Sequence, residues 1–161
     1  MPLWQKGFHV EYTDQYWMQK AIQLAHKAEA ENEVPVGAVI VKDNQLIAEG
    51  WNRLIQSHDP SSHAEIVAIR DAGQVLNNYR LIDTTLYVTL EPCPMCVGAM
   101  VHARIKRLVF GAFDPKTGAA GSAMSLIQSD KHNHQIDFIG GVMEAECRDM
   151  LKSFFKKKRS L

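Results

Sequence analysis

His63-Ala64-Glu65 and Pro92-Cys93-Pro94-Met95-Cys96 stand 30 residues apart in a chain of 161. Each motif falls where a loop enters a predicted helix. The partial positive charge of a helix N-terminus favours thiolate over thiol. Two thiolates and one neutral imidazole suit zinc, and three protein ligands leave the fourth position open. An open position admits water, whose pKa zinc lowers to about 7. Glu65, two residues from His63, can reach that water without being a ligand. It would take the water's proton and deliver it to a ring nitrogen of a substrate, making nucleophile and electrophile together.

The same residues have structural readings. Cys-x-x-Cys serves as a redox pair or as half of a closed zinc site. A redox pair usually follows a strand directly and lacks a paired His-x-Glu. A closed site needs a fourth ligand, and His58, His102, His132 and His134 are available. Ser62-His63-Ala64-Glu65 also matches a capping box, in which Glu65 reaches back to the backbone. Cys147 reads as a small buried hydrophobe. His132 and His134 read as loop residues, not a second metal site.

The composition is that of a soluble globular protein, 46% apolar and 22% charged. One domain over residues 1–161 is expected. Formal charge is zero, 18 basic residues against 18 acidic. Its distribution is uneven: Lys152, Lys156, Lys157, Lys158 and Arg159 follow one another without an acid, and Arg104, Lys106 and Arg107 form a smaller group. Locally positive surfaces suit phosphate backbones, although cations also favour a helix C-terminus. Three cysteines do not make a secreted disulfide framework. Residues 1–6 carry no apolar signal core, and no apolar run approaches the roughly 20 residues that span a bilayer. A cytoplasmic protein is expected.

The elements that must position these residues alternate in type, as in an α/β layered fold. Trp17, Ala21, Leu24, Ala25 and Ala28 recur at helical spacing over 14–31, with Thr13 as N-cap. Residues 36–41 form a short apolar run suited to a buried strand. Asp43-Asn44 marks a turn, so 46–52 completes an antiparallel hairpin. A helix follows over 63–77, with Ala64, Val67, Ala68 and Val75 inward, then a strand over 84–90. Pro94 can open a helix over 94–103, and 106–111 is the next strand. That strand–helix–strand unit is a right-handed crossover, so its strands should be parallel. A fifth strand over 135–139 precedes a terminal helix whose stripe is Met143, Cys147, Met150, Leu151 and Phe154. The expected fold is three-layer α-β-α, a mixed sheet of about five strands with helices on both faces.

His-x-Glu followed by Pro-Cys-x-x-Cys is the recognised signature of the cytidine deaminase-like zinc enzymes. Further segments resemble the bacterial tRNA-specific adenosine deaminases: 33–39 (Glu33 to Val39), 50–53 (Gly50 to Arg53), 86–93 (Leu86 to Cys93) and 111–122 (Gly111 to Ser122). The resemblance runs from about residue 14 to 158. It implies a zinc-dependent homodimer, one ion per subunit on His63, Cys93 and Cys96, with Glu65 as the proton shuttle. It implies hydrolysis of adenosine to inosine at the wobble position of a tRNA anticodon, where an unpaired base is cheaply extruded. By resemblance Asn52 hydrogen-bonds the purine, Val36 supplies an apolar wall, and Asp114 and Lys116 follow the RNA backbone. Phe155 would stack on a flanking base. Alone, Asn52 reads as a strand-end turn residue, Val36 as core, the 114–118 stretch as an ordinary turn and Phe155 as packing. Phe113 departs from the family, which often has a polar or basic residue there. The alternative function is deamination of a free base or nucleoside: guanine, cytosine or cytidine.

Overall fold

The structure, a computed structural model, describes residues 11–161. The reading that residues 1–6 carry no apolar signal core lies outside them. The elements are α1 (Asp14–Ala30), β1 (Gly37–Lys42), β2 (Gln45–Trp51), α2 (Leu54–Ser57), α3 (Ala64–Leu76), β3 (Thr84–Leu90), α4 (Pro94–His102), β4 (Arg107–Ala112), β5 (Asp137–Ile139) and α5 (Glu144–Arg159). The sheet order is β2-β1-β3-β4-β5. β1 is antiparallel to β2 and β3, while β3, β4 and β5 are parallel. This is the expected mixed five-stranded sheet.

Local chemistry explains most boundaries. Thr13 Oγ1 accepts from Tyr16 N at 3.1 Å and starts α1. Asp43 and Asn44 both have positive φ, 50° and 59°. Both values suit a two-residue type I′ hairpin turn, which matches the twist of its strands. Pro94 opens α4 at its first turn. α5 carries Glu144 and Glu146 in its first turn and Lys156 to Arg159 in its last, the arrangement its dipole favours.

Two glycines set the layers. A Cβ on Gly37 would lie 2.0 Å from Ala21 O, and one on Gly50 would lie 2.3 Å from Ala64 O. Gly50 pairs with Ala38 and Gly37 with Trp51. Side chains alternate along a strand, so α1 and α3 lie on opposite faces. α5 packs on Gly111 and pairs Lys157 with Glu29 of α1 at 3.7 Å, which puts it on the α1 face. α4 packs with α3 on the other.

Gly50→Ala is expected to destabilise by about 1–3 kcal/mol, the usual cost of overpacking. Urea unfolding checks this. Unchanged stability would mean that α3 is not held where Gly50 admits it.

Val75 departs from expectation. It lies on the same helical meridian as Ala64 and Ala68 yet is 57% exposed, whereas Ala72 is fully buried. The last turn of α3 projects past the sheet, where Asn77 in the left-handed conformation ends the helix. Val67 is only half-buried. The Arg104, Lys106 and Arg107 group leads into β4, whose first residue is Arg107. Arg107 is held there by Asp14 through two hydrogen bonds of 2.7 and 2.8 Å. Those bonds are the largest cause of the lowered Asp14 pKa.

Candidate metal centre and active-site pocket

The strand directions bring four loops to one edge. Because β1 runs against β2 and β3, and β4 runs with β3, the start of β1 shares that edge with the carboxyl ends of β2, β3 and β4. In open α/β sheets ligands bind at such carboxyl ends. Here the edge receives Val36, Asn52, Cys93 and Asp114 from four different connections. Together with His63 and Glu65 they line a cavity of about 420 Å³, within the range of small-molecule pockets.

His63 is the N-cap of α3 and Cys93 the N-cap of α4. The ligand atoms of His63, Cys93 and Cys96 all lie within 4.8 Å of one another. His63 Nδ1 is 3.6 Å from Cys93 Sγ and 3.5 Å from Cys96 Sγ. Tetrahedral zinc, with bonds of about 2.3 Å to sulfur and 2.0–2.1 Å to nitrogen, would separate such atoms by roughly 3.5–3.8 Å. The donor set therefore fits zinc in chemistry and in spacing. The Cys93 thiol is pulled down to about 4, chiefly by the hydrogen bond from Cys96, with His63 adding to it. That bond and burial push Cys96 upward. Cys93 raises His63 in turn.

Glu65 is 4% exposed. Burial pushes its carboxyl above the usual range. The capping box does not form. Ser62 Oγ donates instead to Asp59 Oδ2 at 2.9 Å, and α3 starts at His63 without a side-chain cap from that residue. Asp59 also accepts from Ser61 N and Ser61 Oγ, at 2.9 and 2.7 Å, and ties down the loop that delivers His63.

The first N–H of α3 is satisfied by the residue that follows β2. Asn52 Oδ1 accepts from Ala64 N at 2.9 Å, and Asn52 Nδ2 donates to Val34 O at 3.1 Å. One N–H and one lone pair remain for a ligand. Val36 is 5% exposed and forms pocket wall and core at once.

The model for the cytidine and deoxycytidylate deaminase zinc-binding region matches residues 11–112. The tRNA-specific adenosine deaminase of Haemophilus influenzae is 52% identical over 147 residues, 91% of this chain and 85% of its own. That of Bacillus subtilis is 47% identical over 146 residues, 91% of each chain. The chain belongs to the tRNA-specific adenosine deaminases. A solved structure from work on A-to-I editing by tRNA:A34 deaminases at the wobble position superposes with a TM-score of 0.82. It is 42% identical and covers 84% of this chain and 98% of that one. The cofactor of this deaminase is zinc, and it has the cytidine deaminase-like fold.

Not every candidate residue of the deaminase enters the pocket. Asp114 lines it, but its carboxylate is engaged in its own turn. Oδ1 accepts from Lys116 N and Thr117 N at 3.0 and 3.1 Å, and Oδ2 from Thr117 Oγ1 at 2.8 Å. Lys116 and Phe155 lie instead in a neighbouring cleft of about 600 Å³, with Arg148, Lys152, Lys156 and Arg159. Phe155 is 42% exposed and meets Phe154 edge-on. The histidines of the 129–136 loop bind backbone: His132 Nε2 donates to Leu126 O at 2.8 Å and His134 Nε2 to Ile105 O at 2.7 Å. Cys147 is fully buried, and burial pushes its thiol up to about 12.

Two buried carboxylates that line the pocket were not among the candidate site residues read from the sequence. Glu33 accepts from Ile55 N and Gln56 N, both at 3.0 Å, and holds α2 against one wall. Glu91 accepts from the loop after β4 on the other side. Both lie in segments that carry the family resemblance, 33–39 and 86–93, each an acid close to a proline, in Glu33-Val34-Pro35 and Glu91-Pro92-Cys93.

Proposed function

We propose that this chain hydrolyses adenosine to inosine at the wobble position of a tRNA anticodon, releasing ammonia. One observation carries the reading. A single turn, 113–117, lines the metal pocket with Asp114 and Thr117 and the basic cleft with Phe113 and Lys116. A nucleotide whose base enters the pocket would pass its flanking phosphates into a cleft of five cations: Lys116, Arg148, Lys152, Lys156 and Arg159. Phosphate neutralisation supplies most sequence-independent affinity for nucleic acid. A free base gives the cleft no role.

His63, Cys93 and Cys96 would hold zinc, which when bound supplies Lewis-acid activation of water at neutral pH. Glu65 takes the proton from the attacking water on its carboxylate and delivers it to N1 of adenine. The carboxylate next takes the proton of the new hydroxyl on C6 and passes it to the amino group, and the C6–N bond breaks as the carbonyl forms and ammonia leaves. Val36 packs on the base, and the free N–H and lone pair of Asn52 hydrogen-bond the purine edge. The Lys116 ammonium meets backbone phosphate, the one lone pair left on Asp114 Oδ2 by its turn accepts from a ribose hydroxyl, and Phe155 stacks on a flanking base.

The reading includes a homodimer with one zinc per subunit, as the resemblance in sequence implies. Exposed Met95 and Val75 on the α3–α4 layer are apolar side chains such a contact would cover. Three free cysteines suit a reducing cytoplasm, and no helix among the described residues is long and apolar enough to cross a membrane.

Incubation of zinc-loaded protein with an anticodon stem-loop carrying wobble adenosine is expected to yield inosine, with little product from free adenosine or cytidine. Nucleoside chromatography reads the outcome. Equal turnover of free nucleoside and stem-loop would assign the pocket to small molecules, and no inosine would sink the reading.

A further inference from the structure

Glu91 is 2% exposed and sits between the last residue of β3 and the Pro92-Cys93 step. The residue lines the metal pocket, and its carboxylate is bound by the turn that follows β4. Oε1 accepts from Asp114 N at 3.1 Å, and Oε2 accepts from Ala120 N at 3.0 Å and Ser122 N at 3.1 Å. The Ser122 hydroxyl donates as well. Two backbone bonds fasten the same segments: Glu91 N donates to Ala112 O at 2.9 Å and Ala119 N to Pro92 O at 2.8 Å. Packing is close enough that a Cβ on Gly118 would lie 2.4 Å from Glu91 Oε2.

We propose that Glu91 is a positioning residue for substrate, holding the 112–122 turn in register with the strand that delivers Cys93. Without that carboxylate, three backbone donors from three separated residues have no common acceptor. Buried donors left without partners are costly, so the turn would rearrange. Asp114 and Thr117 would leave the pocket wall, and Lys116 would leave the cleft. His63, Cys93 and Cys96 are delivered by α3 and α4, so the ligand group would stay. Glu91 thus acts on substrate binding through the turn, since its carboxylate oxygens are bound by Asp114, Ala120 and Ser122. The substrate half of this inference rests on the function proposed above.

Glu91→Gln tests it, since the amide keeps the shape but turns an N–H donor toward N–H donors. Steady-state kinetics on the wobble-adenosine stem-loop would be paired with hydrogen exchange of the zinc-loaded protein. The expected result is a KM raised roughly tenfold with kcat within about threefold, unchanged zinc stoichiometry, and faster exchange confined to 112–122. A merely structural role would lower the active fraction, and so kcat, without moving KM. Unchanged KM, zinc loss, or unchanged exchange in 112–122 would overturn the proposal. Should Glu91→Gln fail to fold, Ser122→Ala removes one donor and leaves the carboxylate. It should raise KM by about threefold and loosen the same segment, and no change in either would overturn the proposal. If the wild type forms no inosine, the functional reading fails, and exchange alone decides whether Glu91 holds the turn.

Discussion

Glu65→Gln is expected to cut deamination of the wobble-adenosine stem-loop by about 10²–10⁴-fold, the usual contribution of a positioned acid–base group. Zinc content and the far-ultraviolet circular dichroism should match the wild type. Glutamine is a sharp choice because it fills the same volume and serves a capping box as well as glutamate does. It cannot take a proton from water. Ser62 already spends its hydroxyl on Asp59, so the amide has no reciprocal cap to preserve. Single-turnover assays at saturating stem-loop isolate the chemical step, with zinc measured by plasma mass spectrometry on the same samples. Wild-type turnover in Glu65→Gln would return Glu65 to a structural role.

Cys93→Ala is expected to lose metal and stability together. Zinc binds the folded state, so its binding energy is also folding energy. At free zinc near a thousand times Kd this amounts to about 4 kcal/mol. A chain of this size shifts by about 2–4 °C per kcal/mol, so a drop of roughly 10 °C in Tm is expected. Two controls separate lost zinc from lost packing. Chelator-treated wild type should melt near the variant, and added zinc should restore only the wild type. Stoichiometric zinc in Cys93→Ala would show that the ligand set is wrong.

Some of this was legible in the residues and some was not. The inward stripes of α1 and α5 were readable because side chains on one helix face recur every 3.6 residues. Val75 was misjudged by the same rule, because periodicity identifies a face but not where the sheet beneath it ends. The Asp43-Asn44 turn was readable because few residues tolerate positive φ. Helix α2 was not, since four residues with no buried side chain carry no period; it is held by the Glu33 carboxylate from 22 residues away. The capping box was a sound local reading that lost to a competing partner, Asp59, three residues upstream of Ser62.

The zinc motifs come closest to what sequence determined alone. Donor types and helix-entry positions are short-range properties, so His63, Cys93, Cys96 and Glu65 could be named before any fold was known. Tertiary structure decided that these two helix N-termini meet, because the strand directions gather four connections at one edge. It also decided that Asn52 caps α3, that Lys116 and Phe155 occupy the neighbouring cleft, and that Glu91 gathers the turn after β4. Each of these depends on a partner 12 or more residues away or on a shared surface. Spacing along the chain does not encode such contacts, since packing and hydrogen-bond satisfaction select them only after the sheet has formed.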